Sequence, residues 1–226
     1  MYEILLPKNP LFEITIASIL FAYILAIVYI TKYVYRILIK RKLPKNVVIY
    51  YNRKIIHIAA GGIVALLVPY IFSSPLIPLI FALVLAVLNY LPHKTGRLLY
   101  WYQVEENMYE VNFCLAWGLM LTILWLVTGS SKIAILPPLF IAFGDAITGI
   151  VRNTIFKRRT KHWIGNIAMA VVTTLLGFIY AGYCGVFAAL VASFIERFVF
   201  NPIDDNVLIS LSTAIILTLS KILGYL

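Results

Sequence analysis

Apolar runs of membrane-crossing length follow one another along almost the whole chain, and no other feature limits the fold so tightly. Hydrocarbon accepts only backbone whose hydrogen bonds close within the segment, so such runs are read as helices. Each needs roughly 17–25 mostly apolar residues. Eight candidate spans can be marked: residues 11–32, with the helix running on toward Lys40, then 55–72, 75–91, 111–128, 133–151, 167–183, 185–200 and 207–225. The run at 185–200 is short, so seven spans is the alternative count. The expected fold class is all-α: a polytopic helical membrane protein forming a single domain over residues 1–226.

Smaller signals refine this outline. Pro137-Pro138 is expected to break or kink the start of the fifth span. The first run is too long for the apolar core of a cleaved leader and lacks a basic stretch before it. No internal repeat is visible, which removes support for an inverted-repeat transporter fold. Cys114 and Cys184 lie near opposite ends of different spans, so neither a disulfide nor a metal pair is expected from them.

The chain carries a net charge of +10, and its location matters more than its size. With the N-terminus outside, the connectors before spans two, four, six and eight are cytoplasmic. They and their edges hold Lys32, Arg36, Lys40, Arg41, Lys42 and Lys45, then Arg53, Lys54, Lys94 and Arg97. Arg152, Lys157, Arg158, Arg159, Lys161 and Arg197 complete the set, leaving only Lys8, Lys132 and Lys221 for the other side. That asymmetry sets the orientation. It also makes nucleic acid an unexpected partner, because these charges belong to membrane-flanking loops that attract anionic lipid or nucleotide.

Acidic residues gather at the same face, which the positive-inside rule does not require. Asp145 sits inside the fifth span, where a charge costs roughly 2.5–3.5 kcal/mol and demands a cation, a metal or water. It shares a helical face with Thr148, Gly149 and Arg152. Glu196 stands near the cytoplasmic end of the seventh span, and Asp204, Asp205 and Asn206 precede the eighth. One of these last three suffices as a helix cap; the surplus suits a metal or a nucleotide. Glu105, Glu106 and Glu110 precede span four, where they either compensate the helix dipole or join the site. For Asp145 the plainer reading is a salt bridge that fixes helix packing.

Arg53, Lys54 and His57 open the second span at i, i+4 and i, i+3 spacing, presenting a cationic face suited to phosphate. Interfacial anchoring is the plainer account of Lys54. Lys161 can clamp a phosphate as a point charge, the N–H groups around Gly165 can hold an anion, and Asn166 can cap the sixth span. Magnesium prefers oxygen ligands and takes one or two carboxylates plus substrate phosphates. The metal candidates are therefore Asp145, Glu196, Asp204 and Asp205. The phosphate or nucleotide candidates are Arg53, Lys54, Lys161, Gly165, Asn166 and Asn206. Glu106, Glu110, Thr148 and Arg152 are additional candidates.

In this order the segments resemble the membrane CTP-dependent polyprenol kinase family, the dolichol kinases and the phytol or farnesol kinases. The resemblance rests on Arg53-Lys54-Ile-Ile-His57, Gly144-Asp145-Ala-Ile-Thr148-Gly149, Lys161-His-Trp-Ile-Gly165-Asn166, Glu196 and Asp204-Asp205-Asn206. It covers roughly residues 53–212 as a kinase-like core and leaves the first span, 11–32, peripheral. It departs from the family at Ile164, where those proteins carry Glu, and at His162 and Asn166, where they carry Ser or Thr and Ser. The lysine-rich run and the late glycine and aspartate-arginine elements of phosphatidate cytidylyltransferases are absent.

The resemblance implies a kinase that moves a phosphoryl group from CTP to an isoprenoid alcohol at the cytoplasmic face, with Mg2+ as cofactor. It implies catalytic roles for Asp145 and His57, with the lipid tail between helices. A CTP-using cytidylyltransferase acting on a lipid phosphate and a small ion or solute transporter are the alternatives. The orientation has its own test. In a chain whose two cysteines are replaced, a single cysteine at Lys132 is expected to react with a membrane-impermeant maleimide in intact cells. One at Lys94 is expected to react only after permeabilisation; the reverse pattern would invert the topology.

Overall fold

The computed structural model describes residues 5–157, 160–198 and 203–226. Among these, seven helical elements are long and apolar enough to cross a membrane. They are α1 (Pro10–Lys40), α2 (Lys45–Ile71), α3 (Leu76–Thr95), α4 (Tyr109–Thr128), α5 (Ser131–Phe156), α6 (Trp163–Ile195) and α7 (Asp205–Ile222). No β-strand ladder forms among the described residues; one isolated bridge joins Val104 and Asn107 in the α3–α4 loop. The chain is a multi-pass helical membrane protein.

One sequence expectation is corrected. The basic connector from Lys32 to Lys54 is mostly helix: α1 runs to Lys40, and α2 starts at Lys45 with Pro44 as its cap residue. Arg53, Lys54 and His57 therefore stand in mid-helix rather than at its start. Spans six and seven follow one another within α6 and remain two arms, because α6 is not straight. Ala181 and Gly182 leave helical geometry, Gly182 at φ 55° and ψ −140°, a conformation open to glycine. A straight helix of 33 residues would be about 50 Å long. Instead Lys161 and Glu196, at its two ends, are hydrogen-bonded at 2.8 Å. The element is a hairpin. Gly177 and Gly185 meet backbone to backbone near the bend, where a side chain on either would strike the other's carbonyl.

α5 is the centre of the bundle. Its most apolar window is 78% buried, against 11% for α1 at the periphery. Leu136, Leu139, Phe140 and Ile141 have no exposure. Pro137 and Pro138 bend α5 as expected, through short helical pieces at Ser131–Ala134 and Leu136–Leu139.

Two wider π-helical turns interrupt the bundle's core, His57–Gly62 in α2 and Phe140–Gly144 in α5. Such turns loosen the regular backbone ladder and re-aim side chains. Tyr23 of α1 donates to the carbonyl of Ala59 at 2.7 Å, and Trp117 of α4 donates to that of Gly61 at 3.1 Å. The two π-turns pack against each other because Gly62 has no side chain, which leaves room for the Phe143 ring. The first π-turn begins with His57 and the second ends against Asp145.

The hairpin predicts a stability effect. Gly177→Leu is expected to lower the melting temperature in detergent. An overpacking cost of about 1–3 kcal/mol corresponds to roughly 2–4 °C per kcal/mol in a chain of this size. An unchanged melting temperature would refute the close backbone contact.

Candidate functional site

Four helices bring charged side chains to one buried point. Lys54 of α2 forms an ion pair with Asp145 of α5, and both are almost wholly buried. His57, one turn further along α2, holds Nδ1 3.8 Å from the same carboxylate oxygen. Its ring stacks on Phe113 of α4 with centroids 4.0 Å apart, and the Phe113 ring occupies the space that a side chain on Gly61 would need. Tyr50 fits beside this pair because Gly149 leaves its hydroxyl room.

The second half of the site is organised by Arg152 of α5. Its guanidinium donates to both oxygens of Glu196, at 2.8 and 2.9 Å, the fork geometry that makes arginine–carboxylate pairs strong. The same group donates to Asn166 Oδ1 at 2.7 Å and to the carbonyl of His162 at 2.9 Å. Asn166 in turn donates to Glu196 at 3.1 Å and to the carbonyl of Ser193 at 2.6 Å, joining the two arms of α6. Lys161 donates to Glu196 Oε1 at 2.8 Å and to Asp205 of α7 at 3.2 Å. Burial disfavours the charge of Lys161, but Asp205 and Glu196 outweigh it and hold the ammonium above its ordinary range. It is therefore a cation at neutral pH.

Asp145, Glu196 and Asp205 each offer an oxygen, and the three lie within 4.8 Å of one another. They are separated widely in the chain and meet only through α5, the end of α6 and the start of α7. Three carboxylates at this spacing fit a hard divalent cation, which favours oxygen ligands. Lys54, Arg152 and Lys161 balance them in charge.

Several sequence candidates have other roles. Asp204 is the cap of α7: its Oδ1 accepts from the N–H of Val207 at 3.2 Å, and it stands outside the three-carboxylate group. Burial and the neighbouring Asp205 raise its carboxyl to about 6. Asn206 donates to Asp204 at 3.2 Å and to the carbonyl of Tyr109 at 3.5 Å. Gly165 does not present its N–H to an anion; that group donates to His162 O at 3.2 Å, and the glycine clears space for Arg152. His162, not Asn166, caps α6, because its ring nitrogen accepts from Ile164 N at 3.2 Å. Glu196 pairs with Arg152 and Lys161 rather than Arg197, whose guanidinium lies 4.3 Å from the Trp163 ring centre. Thr148 bonds the Asp145 carbonyl at 2.6 Å, not its carboxylate.

Glu106 stands in the loop before α4, which begins at Tyr109, and Glu110 lies in the first turn of α4. Glu110 receives His93 of α3 at 2.6 Å, a partner without a sequence signal. Tyr50 escaped notice for a plain reason: the start of α2 reads as a connector, so Tyr50 and Lys54 could not be placed one turn apart. Arg158, Arg159 and Asn201 lie outside the described residues.

Two cavities lie beside Tyr50, Arg53 and His57, and none of the three carboxylates lines either. One of about 260 Å³ has a mixed wall, with Asn46, Tyr50, Arg53, Glu106, Tyr109 and Asn153 beside Val47, Ile49 and Val104. An apolar one of about 190 Å³ runs among α1, α2, α3 and α4 and includes His57 and Glu110 in its wall. Arg53 belongs to both walls, with its guanidinium 4.0 Å from the Tyr109 ring centre.

The Lys54–Asp145 pair can be tested on its own. Removing one partner of a buried pair costs about 3–5 kcal/mol, while replacing both with neutral groups is far milder. Lys54→Met is therefore expected to lower the melting temperature strongly, and Lys54→Met combined with Asp145→Asn to recover much of the loss. Additive losses would deny the pairing. No protein-family model, curated protein or solved structure matches the chain.

Proposed function

We propose that this chain is a CTP-dependent kinase of a lipid alcohol, working at the cytoplasmic membrane face. One observation carries the reading: Asp145, Glu196 and Asp205, far apart in the chain, bring oxygens within 4.8 Å of one another and are paired with Lys54, Arg152 and Lys161. Phosphoryl transfer needs positioning and charge neutralisation more than covalent help from the protein.

In this reading the cavity beside Asn46, Tyr50 and Asn153 receives the nucleotide and the apolar cavity the lipid. Asp145, Glu196 and Asp205 would hold a divalent cation, which supplies charge neutralisation for the phosphates when bound. Lys161 and Lys54 are paired with those carboxylates and are close enough to exchange a carboxylate for a phosphate oxygen. Arg53, on the wall between the cavities, is placed to contact the transferring group from either side. His57 lines the apolar cavity and holds Nδ1 3.8 Å from the Asp145 carboxylate, and in this reading Asp145 or His57 accepts the proton of an acceptor hydroxyl. Arg152 holds Glu196, Asn166 and the His162 carbonyl in register, a positioning role. CTP and an isoprenoid acceptor are supported by the resemblance of the segments around Arg53, Asp145, Lys161, Glu196 and Asp205 to the polyprenol kinases.

The deciding experiment follows the label. With purified protein, Mg2+ and a C20 prenyl alcohol, phosphorus from γ-labelled CTP is expected in the lipid and that from α-labelled CTP is not. Label from the α-phosphate in the lipid would establish cytidylyl transfer instead. Asp205→Asn is expected to reduce transfer at least 100-fold with little change in melting temperature. Full activity in that variant, or activity undiminished by EDTA, would remove the carboxylates from metal binding.

A further inference from the structure

The surface at the end of α1 belongs to a stretch of chain without acids: no aspartate or glutamate stands between Glu13 and Glu105. Within that stretch Lys54 is buried and paired with Asp145. Arg36, Lys40, Arg41, Lys42 and Lys45 are exposed instead, and none is in an ion pair among the described residues. Orienting a membrane protein needs only an excess of cations on one side. It does not need the cations to be in order.

Here they are ordered. Lys32, Arg36 and Lys40 recur at every fourth residue of α1 and so form one ridge along the helix. Tyr29, Tyr33 and Ile37 recur at the same interval, each about half exposed, and form a second ridge. The two ridges meet: the Tyr29 and Tyr33 hydroxyls are 3.2 Å apart, and the Arg36 guanidinium lies 5.7 Å from the Tyr33 ring centre. Just past the helix end Lys42 has a φ of 62°, so a cation occupies a left-handed position that glycine or asparagine ordinarily takes. The surface is also anchored to the bundle. Asn52 of α2 donates to the carbonyls of Thr31 and Trp101 at 2.8 and 2.9 Å, and Trp101 donates to that of Val28 at 3.1 Å. The Tyr35 and Tyr100 rings meet with centroids 5.5 Å apart. That contact brings the α3–α4 loop against α1, and exposed Arg97 stands three residues before Tyr100.

The length of α1 puts this surface among headgroups. Its 31 residues span about 46 Å. The hydrocarbon of a bilayer is about 30 Å thick, and about 40–45 Å with both headgroup layers. α1 is thus long enough to cross all three layers, and its last turns fall in the headgroup layer at that end. Tyrosine is at home there, and lysine and arginine there attract anionic lipid. We propose that the end of α1, with the turn after it, is a binding surface for anionic phospholipid: the cation ridge takes the phosphates and the Tyr29–Tyr33–Ile37 ridge lies against the adjoining acyl chains. A soluble anion would meet the cations but make no use of the apolar ridge. The proposal does not depend on the kinase reading, and it gives a role of its own to α1, the least buried of the spans.

Native mass spectrometry of the detergent-purified, full-length protein reads the preference directly. Offered phosphatidylglycerol and phosphatidylcholine with the same acyl chains in equal amounts, the protein is expected to retain at least about fivefold more phosphatidylglycerol. The triple variant Arg36→Gln, Lys40→Gln, Lys42→Gln is expected to lose that preference. Its melting temperature should not change, because all three side chains are exposed. The triple variant Lys8→Gln, Lys132→Gln, Lys221→Gln removes the same net charge from other exposed positions and is expected to keep the preference. Equal retention of the two lipids by the unaltered protein would overturn the surface. So would an undiminished preference in the first variant, or an equal loss in both, which would make net charge the whole cause. Excess inorganic phosphate is expected to leave the bound phosphatidylglycerol in place. Its displacement would assign the cations to a soluble anion and refute the lipid.

Discussion

The bundle depends on meeting two carboxylates with cations in a place almost closed to solvent. Asp145 and Glu196 are each about 1% exposed. An isolated carboxylate at such a depth would be neutralised or would draw in water. Each is instead met by cations donated from another element, Lys54 to Asp145 and Arg152 and Lys161 to Glu196. Buried pairs of this sort often add little net stability compared with apolar packing. Ionisable groups inside an otherwise apolar bundle are costly, which makes these pairs candidates for function rather than for stability.

The backbone irregularities serve that arrangement. A regular α2 and a regular α5 would put His57 and Asp145 on uninterrupted hydrogen-bond ladders. The two π-turns bring the loosened segments face to face through Gly62 and Phe143. The α6 hairpin has a matching role at greater range, because it returns Glu196 to the level of Lys161. Small residues are spent where helices must close on each other or on a side chain. Gly149 clears Tyr50, Gly165 clears Arg152, and Gly177 clears Gly185. In a bilayer, where lipid is as apolar as the helices, such close packing and polar contacts carry much of the association.

Arg53 stands on the walls of both cavities. Tyr50 and Tyr109 lie near its guanidinium, and its Nε has no hydrogen-bond partner. A planar delocalised charge beside aromatic rings suits arginine better than lysine.

Much of this was legible in the residues themselves. Apolar runs of bilayer length forecast an all-helical membrane protein, and the same apolar background made His57, Asp145, Lys161 and Glu196 conspicuous. The Pro137-Pro138 bend, the cap before α7 and the extension of α1 to Lys40 followed from local chemistry. Local chemistry could not say which charge meets which. Lys54 and Asp145 are 91 residues apart, and Arg152 and Glu196 are 44 apart. No periodicity within one helix encodes a contact between helices. For that reason Asp205 rather than Asp204 joined the carboxylates, Glu196 took Arg152 rather than Arg197, and Gly165 became clearance for a guanidinium. Hydropathy fixes which segments leave water, since each segment bears that cost alone; partner choice depends on how all of them pack, and only the folded bundle decides it.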